Sequence, residues 1–253
     1  MLSRGVMMWV ALAVSLPGAS CGGGGATDPI DTGPPAPVDA TGDTVRVPVD
    51  AVEVLAPPPA VHEVPIGAAD LTFHVGPHVM HTTRTSVALV WESEEAGDTR
   101  VEYGPTGSYG GQVEGAAGTM HEVVIPELQP ATLYHYRACT GERCTADLTF
   151  STAPLPGQEF RFAVYGDSRS DPVSHRAVVQ SMIKEAPALA LNVGDIVASG
   201  VRSEYKTEHF DPTRQLGHYV PLYVSIGNHE WKEADLVEGE PDVPNFREYL
   251  AFP

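Results

Sequence analysis

The hydrophobic pattern of this chain changes at Thr152-Ala153-Pro154, and that change constrains the fold more than any other feature. Before it, over residues 67–153, short stretches of alternating apolar and polar residues recur between Gly- and Pro-containing breaks, which is the pattern of a β-sandwich. After it, over residues 154–253, strand, helix and strand follow one another with apolar runs, which indicates a mostly parallel, buried sheet. The sequence therefore predicts a multidomain chain, an all-β sandwich followed by an α/β domain.

The α/β part contains three predicted strands and one clear helix start. The strands are Phe160–Tyr165, Ala188–Val193 and Tyr219–Ile226. Asp171-Pro172 predicts the beginning of a helix, because aspartate is a good N-cap acceptor and proline suits the first helical position.

The first 66 residues precede both predicted domains. Residues 1–20 have a cation, an eleven-residue apolar stretch and small residues before Cys21, the order of a secretory signal. The small-small-Cys ending resembles a bacterial lipoprotein signal, which implies lipidation of Cys21; ordinary cleavage nearby is the alternative. Residues 21–66, rich in Gly, Pro and Asp, predict an extended tether. We therefore expect an exported protein of the bacterial cell envelope, lipid-anchored in the outer membrane or periplasm, or an extracellular one.

The two remaining cysteines, Cys139 and Cys144, flank a four-residue turn between two predicted strands. Their α-carbons could come within bridging distance, and an oxidising compartment favours a disulfide. Two unpaired thiols are the alternative.

Charge and hydropathy exclude two classes of partner. The chain has 33 acidic against 15 basic side chains, a formal net charge of −18, whereas binding to a nucleic-acid backbone needs clustered Lys and Arg. No apolar run reaches the roughly 20 residues that span a bilayer, so contact with a membrane is expected only through the lipid.

Polar residues follow each of the three predicted α/β strands. The first strand ends in Gly166-Asp167-Ser168-Arg169, the second in Gly194-Asp195 and the third in Gly227-Asn228-His229-Glu230. Ligands of open α/β sheets sit beyond the carboxyl ends of the strands, so we expect these side chains to converge. Carboxylate, amide and imidazole ligands without thiolate suit manganese, iron, zinc or magnesium.

This ordered set resembles the calcineurin-like metallophosphoesterases, and the preceding sandwich resembles the N-terminal, fibronectin III-like domain of purple acid phosphatases. The corner Leu128–Tyr136 is similar to the one in which a fibronectin III tyrosine bonds back to the backbone. The resemblance implies an αββα sandwich holding two metal ions (Mn, Zn or Fe). It also implies that Asp167 binds the first metal, Asp195 bridges both and Asn228 binds the second. His229 would lie beside the phosphate of a small phosphorylated substrate and protonate or orient the leaving oxygen, while a metal-bound hydroxide attacks phosphorus.

The sequence departs from the family pattern at three places. Ala198 stands where purple acid phosphatases have a ligand tyrosine, so no iron–tyrosinate colour is expected. Arg169 stands where other branches have a ligand histidine; we expect it to contact phosphate through its guanidinium fork, with an ion pair to a neighbouring acid as the alternative. The family's downstream ligand histidines have no counterpart after Glu230, which predicts an incomplete α/β domain; a complete but degenerate protein is the alternative.

The leading hypothesis is an exported metal-dependent phosphoesterase that acts on phosphomonoesters. A phosphodiesterase or nucleotidase using the same metals is a second enzyme hypothesis. A non-catalytic surface binding protein, in which the sandwich recognises a partner, is the hypothesis from a different class.

Overall fold

The computed structural model describes residues 62–65, 67–231 and 243–250. The predicted signal, Cys21 and most of the tether lie outside the described residues. The strands are β1 Val75–Met80, β2 Val87–Gly104, β3 Gly111–Ile125, β4 Leu133–Thr140, β5 Arg143–Cys144, β6 Leu148–Ser151, β7 Phe162–Tyr165, β8 Leu189–Asn192 and β9 Leu222–Val224. The helices are α1 Pro172–Lys184, α2 Arg202–Glu204, a π-helix Tyr205–Phe210, α3 Asp211–Gly217 and α4 Pro244–Leu250.

The sandwich is built around the long, bent strand β2. The first half of β2 pairs with β1 and with the end of β3, and its second half pairs with β4 and with the beginning of β3. The register of the β2–β3 pair shifts on both sides of Gly97, and such bulges bend a strand. One hydrogen-bonded sheet of six strands therefore folds over a common core, in which Trp91, Tyr136 and Phe150 are fully buried.

Two local features of the sandwich match the sequence expectations. The backbone N–H of Gln129 donates to the hydroxyl oxygen of Tyr134 at 2.9 Å, so the corner before β4 is tied by its tyrosine. Cys139 and Cys144 lie opposite each other on β4 and β5 and form a disulfide bond. Both features brace the turns at the two ends of β4.

The α/β domain has a parallel sheet in the order β7-β8-β9. Helix α1 follows β7 and begins as predicted: the Asp171 carboxylate accepts the backbone N–H groups of Val173 and Ser174, both at 3.1 Å. The buried face of α1 includes Val179, Met182 and Ile183. These elements confirm the predicted fold class, a fibronectin III-like sandwich followed by an α/β domain. Of the two sheets of a complete αββα sandwich, the described residues contain this one.

Helix α3 fixes the α/β domain to the sandwich. The Arg214 guanidinium, only 4% exposed, donates to the carbonyl oxygens of Phe73 (3.2 Å), His74 (2.7 Å) and Gly76 (3.2 Å), which lead into or lie in β1. The Tyr136 hydroxyl donates to a carbonyl just after α3. Because these contacts are buried, the sandwich holds the α/β sheet in a fixed orientation. No helix in the described ranges is long and apolar enough to cross a bilayer.

Candidate metal centre

The three polar turns predicted from the sequence lie at one edge of the α/β sheet. Tyr165, the last residue of β7, is in register with Asn192, the last residue of β8, and Asn192 with Val224 at the end of β9. Because the strands are parallel and end level, the turns that follow them meet beyond the same edge. The structure thus brings together the segments carrying Asp167, Asp195 and Asn228.

The turns approach one another at backbone distance. The N–H of Asp167 donates to the carbonyl of Gly194 at 3.1 Å. A Cβ on Gly194, whose φ is +106°, would lie 2.8 Å from the backbone nitrogen of Gly227, so a side chain there would force the turns apart. Asp167 and Asp195 themselves have φ of 50° and 57°, a left-handed conformation that is uncommon outside glycine. Backbone strain of this kind is typical of functional sites.

The carboxylates of Asp167 and Asp195 converge on one cation. The Nη1 atom of Arg169 lies 2.8 Å from Asp167 Oδ1 and 2.8 Å from Asp195 Oδ2. The Asp195 side chain is 13% exposed, whereas that of Asp167 is 75% exposed. Of the two interpretations of Arg169, the structure shows the ion pair with neighbouring acids; its contact with phosphate stays a prediction.

His229 is anchored to the turn of Asp195. Its backbone N–H donates to Asp195 Oδ1 at 3.1 Å, and its ring Nδ1 lies 2.6 Å from the carbonyl oxygen of Ala198. A carbonyl oxygen only accepts, so Nδ1 carries the proton and the lone pair of the neutral ring lies on Nε2. Asn228, the preceding residue, is exposed. The backbone carbonyl of Ala198 thus orients the imidazole of His229. Ala198 is the residue that stands in place of the ligand tyrosine of purple acid phosphatases.

Glu230 is the functional candidate that the sequence did not single out. Its side chain is buried, and its carboxylate accepts the backbone N–H groups of Ile196 at 2.7 Å and of Gly227 at 2.5 Å, among others. Its only signal in the sequence is its place as the last residue of the third polar turn. Nothing in that pattern indicates which backbone groups it contacts.

The donor set fits a hard metal ion in the type of its ligand atoms. The two carboxylates that share Arg169 Nη1 supply oxygen atoms, and oxygen ligands suit magnesium, manganese and zinc. Among the described residues, no group of three or more His, Cys, Asp and Glu side chains is arranged to hold a metal. Asp167 and Asp195, with the amide of Asn228, could therefore supply part of a ligand set.

The histidines that precede the third turn lie elsewhere. His175, His209 and His218 are all at most 3% exposed and belong to the helical layer rather than to the strand ends. His175 Nδ1 donates to the carbonyl of Glu208 at 2.7 Å, and His218 Nδ1 to that of Pro77 at 2.7 Å. They are packing residues, which agrees with the sequence interpretation that they do not replace the downstream ligands.

Comparison with known proteins assigns this arrangement to a family. Residues 160–252 match the profile of the calcineurin-like phosphoesterases. Residues 160–252 therefore contain a calcineurin-like phosphoesterase domain. The match begins two residues before β7 and includes all three polar turns. The resemblance proposed from those turns is confirmed.

Relatives extend the similarity to the sandwich. The chain is 24% identical over 189 residues to a probable purple acid phosphatase 20 of Arabidopsis thaliana, covering 70% of this chain and 44% of that protein. Purple acid phosphatase PPD1 from yellow lupin seeds is 17% identical with a TM-score of 0.54, over 71% of this chain and 39% of the lupin chain. The structure of PhoD is 18% identical with a TM-score of 0.52, over 70% and 41%. The chain thus spans less than half the length of these relatives, and the two structures show a shared fold.

Proposed function

We propose that this chain belongs to an exported, metal-dependent phosphoesterase that hydrolyses phosphomonoesters. The observation that carries the proposal is the convergence of Asp167 and Asp195, from turns after two different strands, on a single cation. The turn of His229 is bonded to the same Asp195 carboxylate. A surface binding protein would have no need of two strained aspartates at one sheet edge.

Each residue has a distinct role in the proposed reaction. Asp167, Asp195 and Asn228 would hold the metals, with Asp195 between them. When bound, two metals would polarise the phosphoryl oxygens and make a water-derived nucleophile available at neutral pH. His229, held through Nδ1, presents Nε2 for proton donation to the leaving oxygen. Arg169, already beside both carboxylates, is within reach of a phosphate and offers it a guanidinium fork.

The test is metal-dependent hydrolysis of an aryl phosphate by the full-length chain, with Mn²⁺, Zn²⁺ or Fe²⁺ added. We expect Asp195→Asn to lower the rate at least about a hundredfold, because removing a charge from the shared ligand weakens both the metal site and the fixation of His229. Asp147→Asn makes the same chemical change on the exposed surface of the sandwich, where Asp147 pairs with His135, and should keep the wild-type rate.

The outcomes separate the three functional hypotheses. Equal rates for Asp195→Asn and wild type would contradict a reaction at this centre. Faster turnover of an aryl phosphodiester than of the monoester would favour the phosphodiesterase alternative. Absence of both hydrolysis and metal uptake would favour either the non-catalytic binding protein or a phosphoesterase domain that needs the downstream histidines of its family.

We also propose that Cys21 is lipidated and that the tether holds the domains at the cell envelope. The support is the sequence pattern of residues 1–20, which lie outside the described residues. Mass spectrometry of the mature protein from a bacterial host should find a lipid-modified N-terminal cysteine, and Cys21→Ser should abolish it. An unmodified N-terminus near residue 21 in the wild type would contradict lipidation and leave ordinary export.

A further inference from the structure

Glu230 is the most completely hydrogen-bonded carboxylate among the residues that the structure describes. It is 1% exposed. Its Oε1 accepts the N–H groups of Ile196 (2.7 Å) and Val197 (3.3 Å), and its Oε2 accepts those of Asp195 (3.1 Å) and Gly227 (2.5 Å). Three of these donors follow β8 and the fourth follows β9, so one side chain joins two turns that come from different strands.

Burial explains why the carboxylate is needed. A buried charge is costly unless hydrogen bonds replace its lost hydration, and here each oxygen receives two N–H groups. The four backbone N–H groups also need acceptors, because they are shielded from water, and the one carboxylate accepts all four. An amide in the same place has one oxygen and one NH₂ group. It could satisfy two of the donors and would face the other two with further donors.

The place of these bonds connects them to the metal centre. Asp195 contributes its backbone to Glu230 while its carboxylate faces Arg169 and the N–H of His229. A Cβ on Gly227 would lie 2.4 Å from the backbone nitrogen of Asp195, so the two turns touch where Glu230 holds them. The separation between the side chains of Asp195 and Asn228 is therefore set by this contact.

We propose that Glu230 is the positioning residue of the centre: its carboxylate holds the turn of Asp195 against the turn of Asn228, so that both side chains face the same space. This proposal rests on the proposed function for its consequence in metal binding. The four hydrogen bonds of Glu230 are observed in the structure and do not depend on that function. Partners that orient metal ligands in this way are typically worth 10- to 100-fold in metal affinity.

The experiment compares Glu230→Gln with Glu204→Gln in the full-length chain. Glu204 is a matched control, because its carboxylate also accepts a backbone N–H, that of Ser199 at 2.7 Å, and the Ser199 hydroxyl at 2.8 Å. Two quantities are measured: amide hydrogen exchange in the absence of metal, and Mn²⁺ affinity by titration. Glu230→Asp is the second variant; it keeps the charge and is one methylene shorter, so it yields a readout should the glutamine variant not fold.

We expect Glu230→Gln to accelerate exchange at the amides of Asp195, Ile196, Val197 and Gly227 and to weaken Mn²⁺ binding 10- to 100-fold. Glu230→Asp should fall between Glu230→Gln and wild type, and Glu204→Gln should match wild type in both measurements. Unchanged exchange at the four amides in both Glu230 variants would overturn the proposal. So would faster exchange accompanied by wild-type Mn²⁺ affinity, since Glu230 would then be structural only. Faster exchange in a chain whose wild type binds no Mn²⁺ would support the fixation of the turns and refute the proposed function.

Discussion

The interior of the sandwich and the helical layer packed against it bury histidine in opposite ways. His121 in the sandwich is fully buried, and both of its ring nitrogens have partners, Ser93 Oγ at 2.7 Å and Thr99 Oγ1 at 2.6 Å. His209 of the π-helix is equally buried, and neither of its ring nitrogens has a hydrogen-bond partner within the described part of the chain. The sandwich interior around His121 is thus satisfied. His78 of β1, which packs on the π-helix, also lacks a hydrogen-bond partner within the described residues at both ring nitrogens, as His209 does.

The two domains also differ in where their backbone strain lies. Left-handed residues of the sandwich, such as Tyr109 and Ala131, lie in turns between strands, whereas the left-handed Asp167 and Asp195 carry the converging carboxylates. Local rules are broken mainly where a protein has a function to serve. In the α/β domain, backbone strain thus coincides with the approach of charged side chains, whereas the satisfied interior of the sandwich supplies stability and orientation.

The largest expected effect on stability is in the sandwich. Trp91 is fully buried, stacks on His121 and donates from Nε1 to Thr140 Oγ1 at 3.0 Å. Trp91→Ala should lower the free energy of unfolding by about 3–5 kcal/mol, because it opens a cavity and strands a polar partner. Urea titration followed by circular dichroism measures the change. Leu133→Ala, at a position 43% exposed in the same sandwich, should stay within about 0.5 kcal/mol; equal losses in both variants would contradict the scaffold role.

A smaller effect is expected from acid, and it arises in the α/β domain. Burial, reinforced by the nearby His175, lowers the pKa of His209 to about 3. The unfolded chain takes up this proton near its ordinary pKa of about 6.5, whereas the native protein resists it until about pH 3, so stability is lost as pH falls below about 6.5. From pH 7.5 to 5, this group should account for about 2 kcal/mol.

The variant His209→Phe isolates that contribution. It keeps an aromatic ring of similar size and removes the proton site, so its unfolding free energy should fall less steeply with acid than that of the wild type. The other buried histidines keep part of the slope. Denaturant titrations at pH 7.5, 6 and 5 would measure the difference, and parallel pH curves for the two proteins would show that the buried imidazole is not the origin of the acid sensitivity.

The features that were predicted correctly from the sequence depend on local chemistry. Asp171-Pro172 marks a helix start by side-chain and backbone geometry within a few residues, and the structure has that cap. The strand-end Gly-polar turns required only that parallel strands end at one edge. Gly97, by contrast, lies within the continuous strand β2, although Gly-containing breaks were expected to separate short strands. A glycine signals a break but not whether the chain turns or forms a bulge within a continuous strand.

The rest depends on contacts far apart in the sequence. The π-helix Tyr205–Phe210 was not predicted, since apolar periodicity does not mark it. The Glu230 carboxylate accepts backbone N–H groups from residues more than thirty positions earlier in the chain. Because every residue except proline has such a group, the sequence does not indicate which of them the carboxylate contacts. The sequence left two possible partners for Arg169, a phosphate or a neighbouring acid, and did not indicate which acids. The structure shows that they are Asp167 and Asp195.

The central claim is that Asp167 and Asp195 form the beginning of a metal centre. Titration of the full-length chain with Mn²⁺, following the free ion by electron paramagnetic resonance, tests it most directly. The account predicts Mn²⁺ uptake that Asp195→Asn abolishes and that Asp147→Asn leaves unchanged. Stoichiometry near zero in the wild type, or equal uptake by all three proteins, would contradict it.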